Sequence, residues 1–173
     1  KPLIPLKELQ AITSDLLASG ADIVSRNTVR KRLSAVKGGK FAQLCAPTKV
    51  YAIVLSDIIG DPLDMIASGP AYPDTSTSEQ ALEVIRKYKI MVSPEAAAAL
   101  QQETPKALDN VETIITGSVT ELAAAGKAAA EALGYETLVL TTSLACQAKE
   151  AGSFLGAIAR EYAGKGKKLA FMA

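Results

Sequence analysis

Leu9, Ile12 and Leu16 recur at spacings of three and four residues. That stripe predicts one apolar face on a helix over 6–19, closed by Gly20 as a C-terminal cap. A second helical pattern begins after Asp22 and runs through Ile23, Arg26, Asn27, Arg30, Lys31, Leu33 and Ser34 to the pair Gly38-Gly39, and a short helix through Phe41 and Leu44 follows. The period changes at Val50-Tyr-Ala-Ile-Val-Leu55, an apolar run rich in β-formers that is expected to be a strand buried on both faces, ending at Ser56-Asp57. From 58 to 76 no period holds. The prolines, glycines and aspartates there predict a long ordered loop, and such loops inside compact domains usually carry function. Ser76 with Glu79 has the form of a capping box for a helix carrying Leu82 and Ile85, and Ser93-Pro94-Glu95 starts another. Beyond a polar connection at 101–110 come a strand over 111–116, a helix over 120–133, a strand over 136–141, a helix over 145–163 and a last strand from Lys168.

Strands separated by helices of a dozen or more residues imply right-handed crossovers and a mainly parallel sheet. The expected fold class is α/β: a doubly wound sheet with helices on both faces, three-layered and Rossmann-like. Residues 1–105 would hold the helices, one central strand and the long loop, and 106–173 a βαβαβ segment of the same or an adjoining α/β domain. In such sheets ligands bind beyond the carboxyl ends of the strands. Three expected strands end in small polar pairs, Ser56-Asp57, Gly117-Ser118 and Thr142-Ser143, so a polar crevice along one sheet edge is expected.

Composition narrows the chemistry. Of 173 residues 49% are apolar, and 19 basic against 18 acidic side chains leave a net charge of +1. This describes a globular protein without the strongly basic face that nucleic acid requires. The longest uncharged stretch, 137–148, is too short to cross a bilayer, and the N-terminus has no signal-peptide pattern, so a cytoplasmic location is expected. The chain contains no histidine, which excludes Ser/His/Asp and Cys/His triads and leaves carboxylates, lysines, hydroxyls and backbone amides. Cys45 and Cys146 are expected to be small buried hydrophobes. The chain starts at a lysine and stops inside the apolar run Leu169-Ala-Phe-Met-Ala173, which reads like a piece of something longer.

Three groups could carry chemistry. In the first, the basic helix with Arg30 leads through Lys37 to Gly38-Gly39, whose backbone amides at the start of the next helix suit a phosphate or carboxylate. The plainer reading is a solvated cationic face followed by a cap glycine, and both stay open here. In the second, Ser56, Asp57, Asp61, Asp64, Ser68, Gly69 and Asp74 occupy the long loop. A carboxylate directly after a buried strand can hold Mg²⁺ or accept a proton from a substrate hydroxyl, which favours function for Asp57. Asp64 and Asp74 are expected to be turn residues. The third, Thr116-Gly117-Ser118, fits a tight strand-to-helix turn without a ligand. There is no Walker sequence and no G-x-G-x-x-G.

The runs Asn27-x-Val29-Arg30-Lys31-x-Leu33-Ser34-x-x-Lys37-Gly38-Gly39, Leu55-Ser56-Asp57-x-x-Gly60-Asp61-Pro62 and Ile66-Ala67-Ser68-Gly69-Pro70, followed by Thr116-Gly117-Ser118, resemble the glycerate 2-kinase family, also described as hydroxypyruvate reductase-like or MOFRL-associated. Arg32 departs from the histidine common in that family. The resemblance covers essentially the whole chain. It implies ATP-dependent phosphorylation of the 2-hydroxyl of D-glycerate, with Mg²⁺, in a cleft between two α/β domains of a larger protein. The family's motifs upstream and downstream of these runs are absent, so the chain is expected to carry one wall of the site, to need the rest of a parent polypeptide and to be inactive alone. A homodimer is compatible with it.

On that reading Arg30, Lys37 and the Gly38 and Gly39 amides bind an anion, Ser56, Ser68 and Gly69 shape the ligand site, and Asp57, helped by Asp61, meets Mg²⁺ or the substrate hydroxyl. The alternatives are a non-catalytic metabolite-binding α/β domain and a hydroxypyruvate reductase, the latter opposed by the missing dinucleotide fingerprint.

Overall fold

The computed structural model describes residues 3–56 and 58–173. Among these residues, seven α-helices and four strands follow one another as α1 Leu6–Ala18, α2 Ile23–Leu33, α3 Lys40–Cys45, β1 Val50–Leu55, α4 Ser78–Tyr88, α5 Pro94–Leu100, β2 Val111–Gly117, α6 Val119–Ala132, β3 Glu136–Val139, α7 Ala148–Tyr162 and β4 Leu169–Met172, with a 3₁₀ turn at Ile66–Ser68. The chain divides into two compact units, Lys1–Ile53 with Pro62–Ile114 and Val54–Asp61 with Ile115–Ala173. The class is α/β with parallel strands, as the sequence implies.

In the first unit the core is helical. Ile12 and Leu16 of α1, Val29 and Leu33 of α2, Ala81 and Ile85 of α4 and Ala96 and Leu100 of α5 form its buried apolar cluster, and α2 packs on α1, α4 and α5. The caps show why the elements start where they do. Asp22 accepts the Ser25 N–H to open α2, and Ser93 accepts from Ala96 ahead of Pro94 at the first position of α5. The capping box of α4 is Thr77 with Gln80, one residue beyond the expected Ser76 and Glu79. Ser76 is unavailable as a cap because its hydroxyl and amide both serve Asp74. Helix α2 stops at Leu33, short of the diglycine, because Ser34 turns extended and its hydroxyl accepts the Val36 and Lys37 amides.

Strand β1 pairs with β2 in a two-stranded sheet. In the first unit Val50 N–H donates to Asn110 O at the start of both strands. Burial differs from expectation. Tyr51 and Ile53 are 64% and 74% exposed, because alternate side chains of β1 fall on a sheet face that no described element of this unit covers.

In the second unit the ends of β1 and β2 pair through Ser56 N–H to Gly117 O. Ser118 caps α6 by accepting from Glu121. Strand β3 pairs in parallel with β4, Glu136 opposite Leu169 through Val139 opposite Met172, with α7 as the crossover and α6 and α7 packed on the pair. Cys146 is exposed and Cys45 half-buried, so neither is the buried hydrophobe expected of it. Among the described residues no helix is long and apolar enough to cross a membrane.

Candidate functional site

The long loop is where this chain departs most from ordinary backbone. Ala67, Ser68 and Gly69 are three successive left-handed residues, with φ of 51°, 62° and 57°. Each non-glycine residue in that region costs roughly 1 kcal/mol, so the segment persists only where its surroundings hold it. They do so at every carbonyl. Gly38 N–H donates to Ser68 O at 2.9 Å, Gly39 N–H to Gly69 O at 2.7 Å and Ala42 N–H to Pro70 O at 3.3 Å. Lys37 Nζ donates to Ala67 O at 2.8 Å, and the buried Ser68 hydroxyl donates to Asn27 Oδ1 of α2 at 3.1 Å. A Cβ on Gly69 would stand 2.9 Å from the Asp64 backbone, so only glycine fits there.

This geometry corrects one expectation. The Gly38 and Gly39 amides are not free for an anion, because both are committed to the 68–69 carbonyls, and α3 behind them is only six residues long. Their conformations, φ of 61° and 81°, serve to bring those amides onto the loop.

Arg30 and Lys37 are half-buried side chains without an ion-pair partner among the described residues. Burial first, and then the neighbouring Arg30 guanidinium, push the Lys37 ammonium below its ordinary 10.5. Two cations held beside each other at a strained loop are relieved by a bound anion, which lowers the cost of keeping both charged. Asn27 belongs to the same group and is 5% exposed. Its Oδ1 takes the Ser68 hydroxyl, while among the described residues its Nδ2 meets only the Met65 sulfur at 3.9 Å.

Behind this group the rest of the basic helix overturns the solvated-face reading. Lys31 and Arg32 are both 0% exposed. Lys31 Nζ lies 3.1 Å from Asp64 Oδ2 and 3.0 Å from Asp74 Oδ1. Asp64 and Asp74 are therefore buried ion-pair partners, not turn residues. Asp74 also accepts from the Ser76 N–H, the Ser76 hydroxyl and the Thr104 hydroxyl. Burial pushes its carboxyl up, but the bonds from Ser76, Thr104 and Lys31 outweigh this and hold it below 3.8. Arg32 donates to Thr28 O, Ser76 Oγ, Ser76 O and Glu103 Oε2, which places this position inside the fold.

Of the remaining candidates, Asp57 lies outside the described residues. Ser56 is buried in the second unit, where its hydroxyl closes a turn with Ile58. Asp61 belongs to the same unit. It sits at φ 50° and is half-exposed, with no cationic partner among the described residues. Its carboxylate is the kind of oxygen donor that Mg²⁺ takes, although no cluster of three or more metal-ligating side chains occurs among the described residues. At Gly117 a Cβ would stand 2.6 Å from Leu55 Cδ1, the tip of a side chain that is 76% exposed and free to turn aside, so packing alone does not demand glycine there.

Sequence reasoning assigned no role to Asn27 or Lys31 and read Asp64 and Asp74 as turn residues. The available signal was Asp64 and Asp74 in a loop of the same chain as two adjacent cations on α2, a pattern that becomes specific only when burial is known.

Comparison with known proteins bears on the same residues. Residues 1–101 match the family described as a domain of unknown function, DUF4147. A D-glycerate 2-kinase of Thermotoga maritima is 51% identical over 166 residues, covering 96% of this chain and 40% of its own. A glycerate 2-kinase of Pyrococcus horikoshii is 37% identical, covering 95% and 39%. The crystal structure of a Thermotoga maritima glycerate kinase superposes with a TM-score of 0.86 at 48% identity, over 99% of this chain and 44% of that one. The chain thus spans about 40% of the length of these two curated relatives. With more than half of its residues matching the family pattern, and with half of its sequence and its fold shared with these kinases, the chain belongs to the DUF4147 family, that of the glycerate 2-kinases.

Proposed function

We propose that this chain is part of an ATP-dependent glycerate 2-kinase that transfers the γ-phosphoryl group of ATP to the 2-hydroxyl of D-glycerate. The hydroxyl oxygen forms the new bond to phosphorus, the bond to the ADP oxygen breaks, and the hydroxyl proton leaves to a base. Such a reaction is catalysed mainly by positioning and charge stabilisation. The observation that carries the reading is the Arg30 and Lys37 pair. It combines two half-buried cations, a lowered Lys37 pKa and an anchor on the Ala67 carbonyl.

Arg30 and Lys37 bind the glycerate carboxylate or an ATP phosphate, and Asn27, Ser68 and Gly69 shape the floor beside them. Gly38 and Gly39 act through the loop that they hold. Asp57, with Asp61 as helper, is the proposed carboxylate for the substrate hydroxyl or for Mg²⁺, which neutralises phosphate charge when bound. The remaining parts of the site come from a longer parent polypeptide, and the setting is cytoplasmic. The chain alone is inactive.

Lys37→Met tests this. A charge-assisted hydrogen bond to an anion contributes about 1.5–3 kcal/mol, so ATP or D-glycerate affinity measured by calorimetry falls about tenfold or more. The thermal unfolding midpoint falls only modestly, by the loss of the single bond to Ala67 O, because the Gly38, Gly39 and Ala42 amides still hold the loop. Unchanged affinity in a folded variant retires the assignment.

A further inference from the structure

The segment from Asp64 to Asp74 lies wholly within the first unit and carries a carboxylate at each end, and both are taken by one ammonium. Lys31 Nζ bridges Asp64 Oδ2 at 3.1 Å and Asp74 Oδ1 at 3.0 Å from the middle of α2. Thr75 adds a second bond to Asp64, and Gly38 packs so closely that a Cβ there would meet Lys31 Cβ and Thr104 Cγ2, each at 3.1 Å. The bridged segment contains Ala67, Ser68 and Gly69, the three left-handed residues. Asn27, one turn before Lys31 on α2, receives the Ser68 hydroxyl. One stretch of helix thus fixes both feet of the loop and its apex.

We propose that Lys31 is a positioning residue: its bridge between Asp64 and Asp74 sets the 66–70 loop in the register that ligand binding requires. This rests on the reading of Arg30, Lys37 and Ser68 as an anion site. A buried ion pair is weak evidence for a gain in stability, since apolar side chains of similar size often do as well. What the charged bridge provides is directional. It ties two particular loop positions to one helix position, and removing the ammonium alone leaves Asp64 without its ion-pair partner and Asp74 with Arg32, whose Nη1 lies 3.6 Å from Asp74 Oδ2.

That charge balance supplies the test. Lys31→Met alone is expected to unfold far more easily, as breaking one side of a buried pair does. The double variant Lys31→Met with Asp64→Asn leaves Arg32 facing Asp74, so it restores neutrality and recovers stability without restoring the bridge. In the 173-residue chain it is expected to show about tenfold faster amide exchange at Gly38 and Gly39, whose N–H groups bind the loop carbonyls, and about tenfold weaker binding of orthophosphate. Wild-type exchange and affinity in the stable double variant overturn the proposal. Faster exchange with wild-type affinity overturns it too, since the bridge would then be structural only. If the unaltered chain binds neither orthophosphate nor ATP, the anion-site reading fails, and the exchange rates still decide whether Lys31 holds the loop. Should the double variant not fold, Asp64→Asn alone, which keeps the Lys31–Asp74 pair, is read by the same two measurements.

Discussion

Gly69→Ala perturbs the loop at its tightest point. Two terms add. The residue sits at φ 57°, where alanine costs about 1 kcal/mol more than glycine. The new methyl would also lie 2.9 Å from both the Asp64 Cα and the Asp64 carbonyl oxygen, well inside the 3.5–4.0 Å or so of an ordinary contact. These are backbone atoms held by the Lys31 bridge, so they cannot swing aside as a side-chain tip would. Relieving such overpacking typically costs about 1–3 kcal/mol. The expected loss of stability in urea unfolding is therefore about 2–4 kcal/mol. Gly20→Ala is the matched control, with φ 75° and nothing within 4 Å of the added methyl, and should lose about 1 kcal/mol. Because Gly39 N–H donates to Gly69 O, Gly69→Ala should also speed exchange of that amide. Equal losses at Gly69 and Gly20 would falsify the claim that the loop is pressed against a fixed Asp64 backbone.

Two further outcomes follow from ionisation. Glu103 lies at about 2 rather than 4.5, because the Ser78 N–H and Lys106 outweigh the upward push of burial. A depressed carboxyl contributes stability that is present above 4.5 and lost as pH falls toward 2, so urea midpoints should drop across that window, and less steeply in Glu103→Gln. The Lys40 ammonium lies at about 8 rather than 10.5, pushed down by burial and then by Arg32, with Asp74 opposing. The unfolded chain then holds more protons between pH 8 and 10.5, and the Lys40 contribution to stability rises as pH climbs through that range. Comparing midpoints with those of Lys40→Met isolates it, and a flat difference contradicts the assignment.

Local chemistry was legible wherever neighbours in sequence decide the outcome. The Leu9–Ile12–Leu16 stripe, the Asp22 and Ser93 caps and the β-rich run at 50–55 each became the expected element. Burial was not legible, because it depends on what covers a face. The apolar run of β1 exposes Tyr51 and Ile53, while Lys31 and Arg32, polar by type, are sealed inside. At the candidate site, sequence selected Arg30, Lys37 and the Ser68-Gly69 segment. It misjudged Gly38, Gly39, Asp64 and Asp74, whose roles are set by partners about 30 to 40 residues away. An amide looks available until a distant carbonyl is found on it.

The most direct measurement is an amide and side-chain NMR titration of the chain with ATP, D-glycerate and orthophosphate in turn. Saturable shifts confined to Asn27, Arg30, Lys37 and residues 66–70 are expected for at least one of the three. Saturable shifts that leave these positions unmoved and fall instead on α7 and the β3–β4 pair would contradict the site.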